Sequence, residues 1–443
     1  MRGFFYGINL DTDKYDVMIE SLYSSYLECR LVNTDTRNID SGSMFFALKG
    51  ANFDGNRFAD QALQSGAKYA VIDDSKYHIE GKTILVDDVL KALQELAKHH
   101  RKQLDIPIIA VTGSNGKTTT KELLNAVLSK KYKVAYTYGN LNNHIGVPLT
   151  LLKMDSSHEI ALIEMGDNHP GEVEFLCEIA APNYGFVTNV GKDHLEGFGS
   201  FKKNVEAKKE VFDYLESNKG TVFLDISDKL VVSMVSQKDR IITYGDSNAY
   251  SFIEFLGSDP LLKFKDELGV VVETYLFGAF NFNNFKLAYA IGKYFGVKLE
   301  DISQALQNYQ PDNNRSQVLK TESNTLIMDA YNANPSSVEE AVNSFSEIRT
   351  NQSKWVILGD MYELGSYSEE EHENMSRLVS EKSFDEVILV GQNYSKTNGR
   401  SGVNLFENKE QAEVYIKKIA PEGAIILLKG SRGMRLETFK EIL

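Results

Sequence analysis

Residues 106–120 read Ile-Pro-Ile-Ile-Ala-Val-Thr-Gly-Ser-Asn-Gly-Lys-Thr-Thr-Thr. An apolar strand there runs into a Gly-Ser-Asn-Gly-Lys-Thr turn. A helix follows, with Leu123, Leu124, Val127 and Leu128 on one face. Gly113 and Gly116, with Ser114 and Asn115 between them, let the backbone fold close around an anion. The helix behind offers N–H groups and a positive dipole end. Lys117 can reach terminal phosphates, and the hydroxyl of Thr118, followed by Thr119, can hold magnesium. The segment therefore reads as a phosphate loop for ATP or GTP. The usual loop has four residues between its glycines, whereas here Val111 stands where the first glycine belongs and two residues intervene. A turn that only joins strand to helix is the plain alternative, and the strand–turn–helix context argues against it.

Four further places carry chemistry. Glu164 ends the apolar strand 160–163, where a phosphate-loop enzyme keeps a second magnesium anchor, or where a strand simply ends in an exposed charge. A turn-rich stretch, Gly166-Asp-Asn-His-Pro-Gly171, comes next. His194, in the loop 188–199, is a metal ligand, a proton carrier or an ordinary loop histidine. Val205, Lys208, Val211, Phe212 and Leu215 share a helical face, which puts a lysine inside an apolar stripe. Such a lysine either snorkels to water or is buried and reactive; its neighbour Lys209 lies about 100° further round. Asn281 and Asn284 open the helix 285–294. Asn281 either caps it or joins Asn284, one turn on, in offering amides to an adenine.

These residues need a scaffold. The chain has 443 residues, enough for about three domains of roughly 150 each. Its charge, 48 basic against 62 acidic residues, is −14, which argues against general nucleic-acid binding. Two distant cysteines, Cys29 and Cys177, imply no disulfide framework. The opening Met1–Asp11 lacks a leader-like apolar core, and no run of 18 apolar residues occurs. A cytoplasmic monomer that avoids membranes is expected.

The spacing predicts three α/β domains. Residues 1–103 form a small N-terminal α/β unit, with strands near 44–48, 68–72 and 83–86 and helices at 57–64 and 88–102. Residues 104–312 hold a central parallel sheet of the phosphate-loop ATPase kind, with strands near 106–112, 133–137, 159–164, 184–190, 220–225 and 240–243. Residues 313–443 form a Rossmann-like doubly wound sheet with strands near 325–331, 354–361, 386–391 and 424–430. Ligands sit beyond the carboxyl ends of such strands. Those ends carry Asp329 and Tyr331, then Asp360, then Lys429, Ser431 and Arg432.

Together these segments resemble the Mur ligases, the ATP-dependent amide-bond ligases of peptidoglycan synthesis. The short phosphate loop is that family's own form. Within it, the segments 139–148 (Gly-Asn-Leu-Asn-Asn-His-Ile-Gly-Val-Pro), 194–200 (His-Leu-Glu-Gly-Phe-Gly-Ser) and 329–335 (Asp-Ala-Tyr-Asn-Ala-Asn-Pro) resemble the member that joins D-alanyl-D-alanine to UDP-N-acetylmuramoyl-tripeptide. The alternatives are the third-residue-adding ligase and a folylpolyglutamate-type synthase, against which the segment Tyr331-Asn332-Ala333-Asn334 speaks. A nucleotide-gated binding protein is a rival of another class.

The resemblance implies ATP and two magnesium ions, with Lys117 on the phosphates and Thr118 and Glu164 on one metal. His194 helps hold the second, and Lys208 is carbamylated, which turns an ammonium that repels magnesium into an oxygen ligand. Asn281 and Asn284 match the adenine pair, and Arg315 and Asp329 close on the nucleotide. Asn142 and Asn143 line the muramoyl-peptide site, and Tyr331, Asn332 and Asn334 belong with the substrate. Asp35, Thr36, Arg37 and Ser43, with the segments 45–50 and 54–56, match the uridine-diphosphate region. The chain departs from the family at Phe280 and Asn56, where His is frequent, and at Met328, where a second acid often precedes Asp329.

Overall fold

Alternation within strands decides where the cores lie. In the computed structural model, which describes residues 10–29, 31–236 and 239–443, Leu326, Met328, Ile357, Ile388, Ile426 and Leu428 pack in one buried cluster. Ile327, Val356, Leu358, Leu389, Ile425 and Leu427, their immediate neighbours in sequence, pack in another. Side chains of period two point to opposite faces, so this sheet is covered on both sides. Helix Lys409–Ile419 with the segment Leu436–Glu441 covers the first cluster, and helices Pro335–Ser346 and Ser368–Ser380 cover the second. That is the doubly wound arrangement predicted from sequence. The opening residues 1–9 lie outside the described residues.

The sheet is larger than predicted. Its nine strands run in the order Glu254–Ser258, Leu261–Lys265, Val271–Phe277, Gln317–Lys320, Thr325–Asp329, Ala424–Lys429, Ser353–Gly359, Glu386–Val390 and Val403–Phe406. The last five are parallel, as expected. The first four pair antiparallel and were not foreseen, nor was the last strand. Strand Val271–Phe277 alternates exposed and buried residues, the pattern of a half-covered antiparallel sheet.

The chain forms two compact units. One comprises Met1–Ala110, Lys133–Met165 and Glu174–Asn183; the other comprises Val111–Tyr132, Gly166–Val173 and Tyr184–Leu443. Within the first, Val32–Asn33, Met44–Phe46, Tyr69–Ile72 and Thr83–Leu85 make a four-stranded parallel sheet. Helix Val89–Gln103 begins where Asp88 accepts the N–H of Lys91, at 2.8 Å. A 20-residue helix, Leu10–Cys29, was not anticipated. Val134–Tyr136 pairs in parallel with Ile160–Glu164. Within the second unit, Tyr184–Val187, Thr221–Asp225 and Ile241–Tyr244 are parallel neighbours. The strand Ile108–Thr112 is buried throughout, as a continuous apolar run requires. Among the described residues both cysteines are free, and no helix is long and apolar enough to cross a membrane.

Candidate active site

The phosphate loop is shaped by its glycines. Gly113 has φ +133° and Gly116 φ +81°. A Cβ at Gly113 would lie 2.1 Å from Thr188 Oγ1 and 2.8 Å from the Thr188 nitrogen; one at Gly116 would lie 2.6 Å from Asn284 Oδ1. The loop is therefore clamped by the strand-end segment 188–193. The Ser114 N–H donates to the Asn189 carbonyl at 2.9 Å, and the Asn115 N–H to Asn189 Oδ1 at 3.0 Å. Thr188 Oγ1 donates to the Asn115 carbonyl at 2.6 Å. Helix Lys117–Leu128 starts directly behind with Gly116 as its left-handed cap. Lys117 curls back over the loop, its Nζ 2.5 Å from the Gly113 carbonyl and 3.3 Å from that of Ser114. A cation is thus held against a two-glycine loop at a helix N-terminus, a combination that suits polyphosphate.

Lys208 does not snorkel. It is fully buried on helix Phe201–Ser217, whereas Lys209 lies toward solvent and pairs with Asp213. Lys208 Nζ donates to both oxygens of Asp167, at 2.8 and 2.7 Å, sits 3.5 Å from Asp193 Oδ2 and lies 4.8 Å from the centre of the Phe198 ring. Asp193 in turn accepts from Ser114 Oγ at 2.5 Å and Asn204 Nδ2 at 2.6 Å. Burial pushes the Asp193 carboxyl up, but Lys208, Lys117 and the two hydrogen bonds outweigh it and hold the group below the usual carboxylate range. The ammonium thus links the turn 166–171, the loop 188–194 and the phosphate loop. In this ammonium form Lys208 has no lone pair for a metal. Asp167 and Asp193 were not singled out from sequence, although Asp167 lies in the turn noted there and Asp193 precedes His194.

His194 has a left-handed backbone, φ +46°, and its Nδ1 lies 2.7 Å from Glu363 Oε2. That hydrogen bond holds the Glu363 carboxyl below its usual range. Nearby, Lys192 Nζ pairs with the buried Glu371 at 2.7 Å, and its N–H donates to Ser336 Oγ at 2.8 Å. Asn334 caps helix Pro335–Ser346 in a capping box with Ser337, and its amide donates to Asn115 Oδ1 at 2.8 Å. None of these partners was legible in the sequence.

Asn281 makes no capping bond, which removes that alternative. Its amide donates to the Phe277 carbonyl at 2.7 Å, and its Oδ1 accepts from Asn284 Nδ2 at 2.8 Å. Asn284 Oδ1 accepts from Thr120 Oγ1 at 3.0 Å. The asparagine pair is thus buried as one unit against the helix of the phosphate loop.

Arg315 lies between two residues in left-handed conformation, Asn314 at φ +56° and Ser316 at φ +49°. Its guanidinium stacks 3.8 Å from the centre of the Tyr331 ring, and its Nε is buried without a hydrogen-bond partner. Asp329 Oδ1 accepts the Ser316 N–H at 3.0 Å, and Asp329 Oδ2 pairs with Lys429 at 2.6 Å. Lys429 also reaches the Asn332 carbonyl at 3.3 Å.

Thr118 and Thr119 lie on helix Lys117–Leu128 of the second unit; the first unit holds the others. Glu164 is buried and accepts from Asn142 Nδ2 at 2.9 Å, while its N–H donates to Thr137 Oγ1 at 3.0 Å. Asn143 Oδ1 accepts the N–H groups of Ile145 and Gly146, at 3.1 and 2.9 Å, and so fixes the turn before helix Gly146–Leu151. Arg37 is exposed and forks onto Asp35, with Thr36 between them half-buried. Ser43 is fully buried, its Oγ without a partner. Asn56, where the family often has His, is fully buried and bonds Asp54 at 2.9 Å and Asp73 at 2.8 Å.

Three family descriptions match the chain in succession. They are Mur ligase family, catalytic domain, over residues 28–101; Mur ligase middle domain, over 111–292; and Mur ligase, glutamate ligase domain, over 314–432. The UDP-N-acetylmuramoyl-tripeptide–D-alanyl-D-alanine ligase of Bacillus subtilis (strain 168) is 35% identical over 419 residues, 92% of this chain and 91% of that protein. The ligase of the same name from Escherichia coli (strain K12) is 33% identical over 433 residues, 95% of each. Among solved structures, MurF from Acinetobacter baumannii superposes with a TM-score of 0.85 at 28% identity, over 96% of this chain and 97% of that one. MurF ligase from Thermotoga maritima in complex with ADP gives 0.82 at 25% identity, over 94% and 97%. This chain belongs to the Mur ligase family, in its group of UDP-N-acetylmuramoyl-tripeptide–D-alanyl-D-alanine ligases.

Proposed function

We propose that this chain uses ATP to join D-alanyl-D-alanine to UDP-N-acetylmuramoyl-tripeptide, with the phosphate loop and the Lys208 cluster as the working centre. The observation that carries the reading is the buried chain Ser114–Asp193–Lys208–Asp167, which ties the nucleotide loop to a lysine set inside an apolar helix face. A carboxylate oxygen of the tripeptide attacks the γ-phosphorus, the bond to the bridging oxygen breaks, and ADP leaves. The dipeptide amine then attacks the acyl carbon, loses a proton and expels phosphate. Lys117 neutralises the transferring group, which is largely a matter of positioning and electrostatics. Asn281 and Asn284 orient the adenine, and Arg315 and Asp329 engage the nucleotide. Asn142, Asn143, Tyr331, Asn332 and Asn334 serve the peptide substrates, and Asp35, Thr36, Arg37 and Ser43 the uridine diphosphate.

The groups assigned to magnesium suit it by their chemistry. Among the described residues no three acidic, His or Cys side chains converge as a ready cage, so phosphate oxygens and water would complete the set. The hydroxyl of Thr118 and the carboxylate of Glu164 are hard oxygen donors. A carbamate on Lys208, formed by adding carbon dioxide to the neutral amine with loss of a proton, is a third, and a divalent cation would balance it against Asp167 and Asp193. His194 is the nitrogen donor of the proposed set. Bound magnesium withdraws charge from the transferring phosphoryl group. The domain limits at 103/104 and 312/313 and a cytoplasmic, monomeric state belong to the same proposal.

Mass spectrometry of a reaction with ATP, the UDP-linked tripeptide and the dipeptide tests it. A UDP-linked pentapeptide is expected; unchanged tripeptide would refute the assignment. Asn281→Ala and Asn284→Ala are each expected to raise the KM for ATP about tenfold, equivalent to about 1.4 kcal/mol. Unchanged values in steady-state kinetics would return the pair to a structural role.

A further inference from the structure

Two guanidinium groups meet the ring of Tyr331. Arg315 lies 3.8 Å from its centre and Arg432 4.9 Å. Arg432 Nη1 also donates to the Tyr331 hydroxyl at 2.9 Å. Among the described residues neither arginine has a carboxylate partner, although the neighbouring Lys429 is matched by Asp329 at 2.6 Å. The cationic surplus is therefore local to the two arginines. Asp329 and Lys429 are register partners on adjacent parallel strands, and Tyr331 and Arg432 follow at the carboxyl ends. Ligands of such sheets bind there.

Resting on the ligase reading above, we propose that Arg432 grips the C-terminal carboxylate of the incoming dipeptide, with Tyr331 fixing the guanidinium in place. An acceptor dipeptide offers two polar ends. Its amine must be free and neutral to attack, so only the carboxylate can be held throughout the reaction. A guanidinium forks onto a carboxylate with paired bonds, and stacking on an aromatic ring holds the fork in position. Arg432 is exposed and spends one donor on Tyr331, which leaves others for a ligand. An extended dipeptide places its carboxylate about 7 Å from its amine, so a fixed Arg432 measures acceptor length.

The test compares D-alanyl-D-alanine with its C-terminal amide as acceptors for the unaltered enzyme and for Arg432→Gln. The unaltered enzyme is expected to favour the acid by about 10–100-fold in kcat/KM, the range of a charged hydrogen bond. In Arg432→Gln the ratio should fall close to one while the KM for ATP stays unchanged. Arg432→Lys, which keeps the charge and loses the fork, should fall between. A ratio unaltered by Arg432→Gln overturns the proposal, as does a raised KM for ATP with the ratio intact, which would place Arg432 on the nucleotide. If the unaltered enzyme ligates neither acceptor, the ligase reading itself fails and this one with it.

Discussion

Lys208→Ala is expected to lower turnover by at least about 10²–10³-fold and to destabilise the fold by about 3–5 kcal/mol. The stability loss follows from Asp167 and Asp193, which would be left buried without the ammonium that lies 2.7 and 3.5 Å from them. Thermal or denaturant unfolding measures it. The activity loss follows from the proposed carbamate. Lys208→Arg separates the two effects, since a guanidinium keeps the positive charge and takes up no carbon dioxide. It is expected to fold and to turn over poorly, and short carboxylates are expected to restore part of the activity of Lys208→Ala. A fully active Lys208→Arg enzyme would reduce Lys208 to a structural ion pair.

Gly113→Ala is expected to cut kcat/KM for ATP by about 100-fold, close to 3 kcal/mol, with a smaller loss of stability of about 1–3 kcal/mol. The new Cβ meets Thr188 Oγ1 at 2.1 Å, on a backbone at φ +133° that side chains rarely adopt. Relief by adding Thr188→Ala is expected to be minor, because the Thr188 backbone nitrogen stays 2.8 Å away. Full rescue in that double variant, by nucleotide kinetics, would contradict the close backbone approach.

Much of this was legible in the sequence for definite physical reasons. Helical phase favoured Lys208 over Lys209 without settling the choice, and the structure buries the first and leaves the second toward solvent. Continuous apolar runs located the parallel strands, because strands covered on both faces leave little room for polar residues. The ion partners were not legible. Asp167 meets Lys208 from 41 positions away, and Glu363 and Glu371 reach the loop at 192–194 from a distant segment, pairings that no local pattern encodes. The antiparallel strands at 254–277 were missed although Val271–Phe277 alternates exposed and buried residues, and Asn281 was open to a capping role that only the observed bonds exclude.

The central claim is that ATP cleavage here serves to activate a peptide carboxylate for an incoming amine. Phosphate release from ATP measures this most directly, with UDP-N-acetylmuramoyl-tripeptide present and D-alanyl-D-alanine added or withheld. Sustained release only when both are present is the predicted result. Release at the same rate without the dipeptide would contradict the account and point to a nucleotide-driven switch.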